Sequence, residues 1–173
     1  MKLIAEVAPE VITQHLIALG CGNHPNNLKE FGLLPESFGF KHYLTEIDEA
    51  EFFGLVFQHT PDLSPLVPDV NIRPLRIAAQ NALGQLKVKP RLNANWDLTL
   101  IEERTTAWLA RGTPLPALAL RDSRGSELIT GQWYLQDGCH RALGYAMAIL
   151  KYPSVTYRPL KAYIATTEIT FDT

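Results

Sequence analysis

Cysteine is scarce. Cys21 and Cys139 are the only two, too few for the disulfide framework that staples small secreted domains. Positive charge is not in excess either. Sixteen Lys and Arg against eighteen Asp and Glu leave a formal net charge of −2. No global basic field of the kind that drives non-specific DNA binding follows from that balance, although a local basic patch is not excluded. No apolar run reaches the roughly 20 residues that a membrane-spanning helix needs. The opening M-K-L-I-A-E-V-A-P-E meets Glu6 after a few apolar residues and does not read as a secretory signal. The phosphate-loop pattern G-x-x-x-x-G-K-[ST], the dinucleotide pattern G-x-G-x-x-G and the nucleophile elbow G-x-S-x-G are missing. Repeats, low-complexity tracts and long charge runs are missing too. These absences set the expectation of a soluble, cytoplasmic chain with no membrane contact.

What is present suits one domain, or one domain with a large extension. The chain has 173 residues, 46% of them hydrophobic and 20% charged, enough apolar material for a sizeable core. Lys2–Val7 reads as a strand. Pro9 suits the first turn of a helix, where its missing N–H has no partner to lose, and Val11, Ile12, His15, Leu16 and Leu19 fall on one face of it. Gly20 and Gly22 stop it. Residues 20–44 read as an ordered, irregular loop. Thr45 is placed to cap an apolar helix over 46–58, with Asp48 as the capping-box acid. Another helix is expected over 74–86.

The second half is better punctuated. Lys87–Asn95 is a basic connector. Asp97 is a good N-cap for a helix over 98–110, with Trp96 and Ile101 as a hydrophobic staple. Gly112 closes that helix. P-L-P-A-L-A-L-R, the turn D-S-R-G-S-E and L-I-T-G-Q-W-Y-L read as a hairpin. D-G-C-H-R follows, then a helix over 140–150 and a strand over 155–165 bent at Pro159.

The turn Asp137-Gly138-Cys139-His140-Arg141 concentrates the chemistry. A helix start favours an anion, through unpaired N–H groups and a partial positive charge. Gly138 leaves backbone free of a side chain. Arg141 can hold two phosphate oxygens. His140 can donate a hydrogen bond or act as acid or base near neutral pH. Asp137 either holds magnesium through a bound water or orients His140. Structural roles remain open beside these, since Asp-Gly is a common turn dipeptide. Cys21-Gly22-Asn23-His24 has a C-x-x-H spacing, but one such pair does not complete a tetrahedral zinc site.

The order of elements from residue 88 onward, with D-G-C-H-R between strand and helix, resembles the ParB N-terminal/sulfiredoxin-like superfamily. The resemblance covers roughly residues 88–165, about half the chain. Gly138-Cys139-His140-Arg141 matches the end of the sulfiredoxin motif, and Asp137 matches the D-G-x-H-R variants of ParB-like proteins. It implies an α+β fold: a small mixed sheet with packed helices over residues 88–173. Residues 1–87 carry no such resemblance and are expected to form a mainly helical extension packed on that core. It implies a phosphate or nucleotide site at Gly138, Cys139, His140 and Arg141, with Lys89 and Arg91 reaching from the extended segment. It also implies ATP or CTP as substrate, with magnesium. His140, Asp137 and Glu102 become the candidate catalytic groups, Glu102 as a proton acceptor on the helix after Asp97. In sulfiredoxins the matching cysteine is the reactive one. Here Asp137 stands where sulfiredoxin has glycine, and a carboxylate at that point raises a thiol pKa.

The expected function is therefore hydrolysis or transfer of a nucleotide phosphate. The alternative within the resemblance is a ParB-like nuclease, or a plasmid-associated protein that processes DNA or inhibits conjugation. A third reading is a non-catalytic interaction protein that offers the apolar segment Phe52–Phe57 to a protein partner.

Overall fold

The computed structural model describes residues 1–20, 28–29, 31–34, 39–69, 71, 73–122 and 133–166. Among them are five strands and five α-helices. In chain order these are β1 (Lys2–Glu6), α1 (Pro9–Ala18), β2 (Lys41–Ile47), α2 (Glu49–Gly54), α3 (Leu75–Gln85), α4 (Leu98–Arg111), β3 (Leu118–Arg121), β4 (Tyr134–Asp137), α5 (Cys139–Lys151) and β5 (Leu160–Thr166). The strands form one mixed sheet in the order β1-β2-β5-β3-β4. Only β3 and β5 run parallel; the other neighbours are antiparallel. This is an α+β fold, and residues 1–87 supply two of its five strands alongside three of its helices.

Alternation along the strands sorts their side chains into two layers. Leu118 and Leu120 of β3 and Leu160, Ala162 and Ile164 of β5 face the larger core, with Tyr43 and Ile47 of β2. That core is closed by Phe52, Phe53, Leu75, Ala78, Leu98, Ile101, Leu143 and Met147 from α2, α3, α4 and α5. Ala119 and Ala165 face the other side, where Ile12 and Leu16 of α1 cover them. These small residues let α1 lie close to the sheet. Val11, expected on the packed face of α1, is 41% exposed.

One expectation is overturned. The helix capped by Thr45 over 46–58 does not form. Residues 41–47 are β2, which runs beside β5 from Lys41↔Thr166 to Ile47↔Leu160. Tyr43, Thr45 and Ile47 alternate inward, a period of two. Thr45 caps nothing: its hydroxyl donates across the sheet to the Ala162 carbonyl at 3.1 Å. The cap is Asp48. Its carboxylate accepts from the Glu51 N–H at 2.9 Å, and the Asp48 N–H donates back to Glu51 Oε2 at 2.9 Å. That reciprocal pair is the capping box, set three residues later than expected. The helix then stops at Gly54. Leu55–Phe57 continue extended beside β4, with the Val56 N–H donating to Trp133 O and the Leu135 N–H to Val56 O.

Phe52, Phe53, Leu55, Val56 and Phe57 are each at most 4% exposed. They are core, so this segment offers no apolar surface to a partner.

The last strand, expected over 155–165 and bent at Pro159, forms only after that proline, as β5 at Leu160–Thr166. Other punctuation works as read. Asp97 Oδ1 accepts from the Thr99 and Leu100 N–H groups at 3.1 and 3.2 Å, a cap of the kind that stabilises a helix by about 1 kcal/mol. Trp96 and Ile101 are both buried in the larger core. Gly112 ends α4 with φ 66°. β3 and β4 pair antiparallel, although β4 begins only at Tyr134. The intervening residues 123–132, with most of the expected turn, lie outside the described residues, as do Cys21 and His24. Among the described residues no helix is long and apolar enough to cross a membrane.

Candidate functional site

β4 ends at Asp137 and α5 begins at Cys139, so the whole reversal from strand to helix falls on Gly138. Its φ of 90° lies in the left-handed region that favours glycine. A Cβ there would also come within 2.8 Å of both Arg141 Nη2 and Leu118 Cδ2. The space that Gly138 leaves open is thus filled by its own helix's arginine. No side chain caps this end of α5, and the first N–H groups of a helix have no partner within it.

Arg141 lies over that start. Its Nη2 donates to Asp137 Oδ2 at 3.4 Å, an ion pair one helical turn apart. Its Nε is shut off from solvent and has no hydrogen-bond partner. The indole Nε1 of Trp108 is a second buried N–H without a partner. Both side chains line one cavity of about 400 Å³ at the start of α5. Its apolar wall comes from Leu100, Ile101 and Leu115, and its cationic groups are Arg104 and Arg141.

His140 stands at the mouth of this cavity. Its Nε2–H donates to the Asn95 carbonyl at 2.9 Å, and its ring lies 4.0 Å from that of Trp96 at 31°. The loop that presents Asn95 is held by Asn93, whose side-chain carbonyl accepts from the N–H groups of Asn95 and Trp96. Although the residue is exposed, contact with the indole strips water from part of the imidazole. That desolvation lowers its pKa below 6.5, the Asn95 carbonyl opposes it, and the charges of Arg104 and Arg141 add to the lowering. His140 is therefore neutral at pH 7. With Nε2–H engaged, the lone pair sits on Nδ1, a proton acceptor.

Cys139 points the other way. It packs against the larger core, and its Sγ–H donates to the Leu135 carbonyl at 3.4 Å. Burial first, and the Asp137 carboxylate second, push its thiol up to about 12. A thiol so placed is not a nucleophile near neutral pH. Native protein treated with iodoacetamide at pH 8 is expected to alkylate Cys139 roughly a hundredfold or more slowly than unfolded protein. Peptide-level mass spectrometry separates it from Cys21, and rapid native labelling at Cys139 would contradict the assignment.

The remaining candidates are not brought together. Glu102 Oε1 accepts from Lys151 Nζ at 2.5 Å and from the Tyr152 hydroxyl at 3.1 Å, and it borders a separate hollow between α3 and α4. Lys89 and Arg91 are exposed on the segment leading to Asp97 and lie outside the cavity lining. The Asp137 carboxylate is engaged by Arg141, and among the described residues no three His, Cys, Asp or Glu gather at one point.

Two site residues escaped the sequence reading, Arg104 as a cation of the site and Trp108 as part of its wall. The signal was there. Ile101, Arg104, Thr105 and Trp108 stand at i, i+3, i+4 and i+7 and share a face of α4, whereas Glu102 is turned about 100° away.

Comparison of the chain with family models, with curated proteins and with solved structures found no match.

Proposed function

We propose that this chain binds a nucleotide through its phosphates at the start of α5 and hydrolyses or transfers one of them. The observation that carries the reading is that Arg141, on a partly exposed side chain, and Arg104 line one cavity with an apolar wall, at a helix start that no side chain caps. An anion at this point would meet the guanidinium together with the first N–H groups of α5. Arg104 adds a second positive charge. The indole of Trp108 and the side chains of Leu100, Ile101 and Leu115 give a base a surface of matching character.

ATP and CTP are the proposed ligands, and the ParB/sulfiredoxin-like resemblance of residues 88–165 is the reason for preferring them. The order α4-β3-β4-turn-α5-β5 supports that resemblance. Magnesium enters this reading as the counter-ion of the nucleotide itself. In hydrolysis, water attacks the terminal phosphorus, the bond to the bridging oxygen breaks, and the water's proton passes to Nδ1 of neutral His140. Arg141 and the helix start hold the developing charge, the larger part of catalysis in such reactions. A nuclease acting on DNA would use the same groups on a phosphodiester.

Titration with ATP, CTP and GTP, with and without magnesium, tests the proposal. Trp96 and Trp108 border the site and report by fluorescence. At a hundredfold excess over Kd the bound protein gains about 2.7 kcal/mol, a rise in melting temperature of about 5–10 °C for a chain of this size. Released phosphate measures turnover. No response to any nucleotide at millimolar concentration overturns the reading.

A further inference from the structure

A second cavity of about 500 Å³ adjoins the first. Trp108 and Leu115 line both. The far cavity lies where the segments leading into β3 and β5 run together, with Thr113, Pro114 and Leu115 on one wall and Val155, Arg158 and Pro159 on another. β3 and β5 are parallel neighbours, and β3 is antiparallel to β4. The starts of β3 and β5 and the end of β4 therefore lie at one end of the sheet, and both cavities open along it.

Positive charge stands on both sides of the shared wall. On the near side are Arg104 and Arg141 with one carboxylate, Asp97, which is engaged in capping α4. On the far side is Arg158. Lys161 and Glu46 border it too, but they are opposite partners in β5 and β2, and alternation places both on the sheet face away from Leu160 and Ile47. Between the two compartments lies the Trp108 indole. A cation pair, an aromatic surface and a further arginine in sequence match a phosphate, a base and a second phosphate.

We propose that the two cavities form one groove for a nucleoside carrying phosphates on both its 5′ and 3′ sides, with its base against Trp108 and its second phosphate at Arg158. This rests on the nucleotide reading above and narrows its ligand. Such a ligand is supplied either by a free nucleoside bisphosphate or by a step of a single-stranded polynucleotide.

Three probes test it: adenosine 5′-monophosphate, adenosine 3′,5′-bisphosphate and a four-residue oligodeoxyadenylate, titrated into the full chain by calorimetry. The bisphosphate is expected to bind about tenfold more tightly than the monophosphate. Arg158→Gln should abolish that gain and leave monophosphate binding unchanged. Arg158 is exposed, and its contact to the Tyr145 hydroxyl is made by its backbone N–H, so the variant keeps its fold. Equal affinity for the two adenosine nucleotides, or a gain that survives in the variant, overturns the groove while leaving the nucleotide reading standing. Failure of all three to bind also overturns the groove, and the nucleotide reading is then decided by the ATP, CTP and GTP titration. An oligonucleotide that binds at least as tightly as the bisphosphate identifies a polynucleotide as the source; weaker binding identifies the free nucleotide.

Discussion

An Arg141→Ala variant is expected to lose nearly all nucleotide-induced stabilisation, with affinity reduced roughly 30-fold or more. Two effects add. The guanidinium that lies beside the α5 start is gone, and with it the hydrogen bonds to phosphate. Asp137, whose carboxylate accepts from Arg141 in the free protein, is then left as a bare negative charge two residues before the helix start, where it repels the ligand. Removing that charge separates the two effects. Asp137→Asn in the Arg141→Ala background should recover part of the affinity, and Asp137→Asn alone should bind more tightly than wild type, because Arg141 no longer divides its donors. Arg141→Lys keeps the charge without the fork and should fall between. The stability of the free protein should change little, since the ion pair is partly exposed and such pairs contribute little. Isothermal titration of the four variants measures all of this. Wild-type affinity in Arg141→Ala would sink the assignment of the phosphate site.

The second large effect concerns stability. Gly144, on the inner face of α5, meets α4 where Thr105 lies. A Cβ at Gly144 would come within 2.0 Å of Thr105 Oγ1 and 3.1 Å of Ile101 Cγ2. Thr105 has little room to yield, because it is buried and its hydroxyl donates to the Ile101 carbonyl at 2.9 Å. Glycine ordinarily costs a helix about 1 kcal/mol against alanine, so on propensity alone Gly144→Ala would stabilise. Overpacking between two buried helices costs about 1–3 kcal/mol or more, and a 2.0 Å approach sits at the severe end. We expect a net loss of about 2 kcal/mol, read as a fall in melting temperature of about 4–8 °C. Thr105→Ala removes the clashing hydroxyl. In the double variant the loss should shrink to well below the sum of the single effects, a coupling between neighbours that a double-mutant cycle measures directly. Additive effects would mean that the helices separate freely.

The same contact bears on the site. Thr105 lines the nucleotide cavity beside Ile101, so a shift of α4 away from α5 also moves Arg104 and Trp108. Gly144→Ala is expected to weaken ligand binding along with the fold.

Where the sequence carries a local signal, it was legible. Asp97 caps α4, Gly112 ends it, and the turn at Gly138 lies between a strand and a helix. Each depends on a few adjacent residues. What depends on distant partners was not legible. Thr45 followed by acidic residues looks like a cap, and pairing with residues 2–6 on one side and with 160–166, more than a hundred positions away, on the other makes 41–47 a strand. The role of Gly138 was read as room for a phosphate, but that room is taken by Arg141 and Leu118, the latter from a neighbouring strand. Glu102 was read by type and not by direction. The partners that hold it, Lys151 and Tyr152, come from the far end of α5. The raised thiol of Cys139 was foreseen from Asp137, yet burial is the larger cause, and burial is set by packing.

β5 holds the centre of the sheet, between β2 and β3. On a ribosome this strand emerges after the other four. Until it does, β1–β2 and β3–β4 are two separate pairs with nothing joining them, each with an edge of unmet backbone groups. Assembly waits on a segment whose partner, Lys41, was made more than a hundred residues earlier. Such distant closure is slow and leaves half-made sheets open to mispairing. The interval before residues 160–166 arrive is when this chain most needs a chaperone.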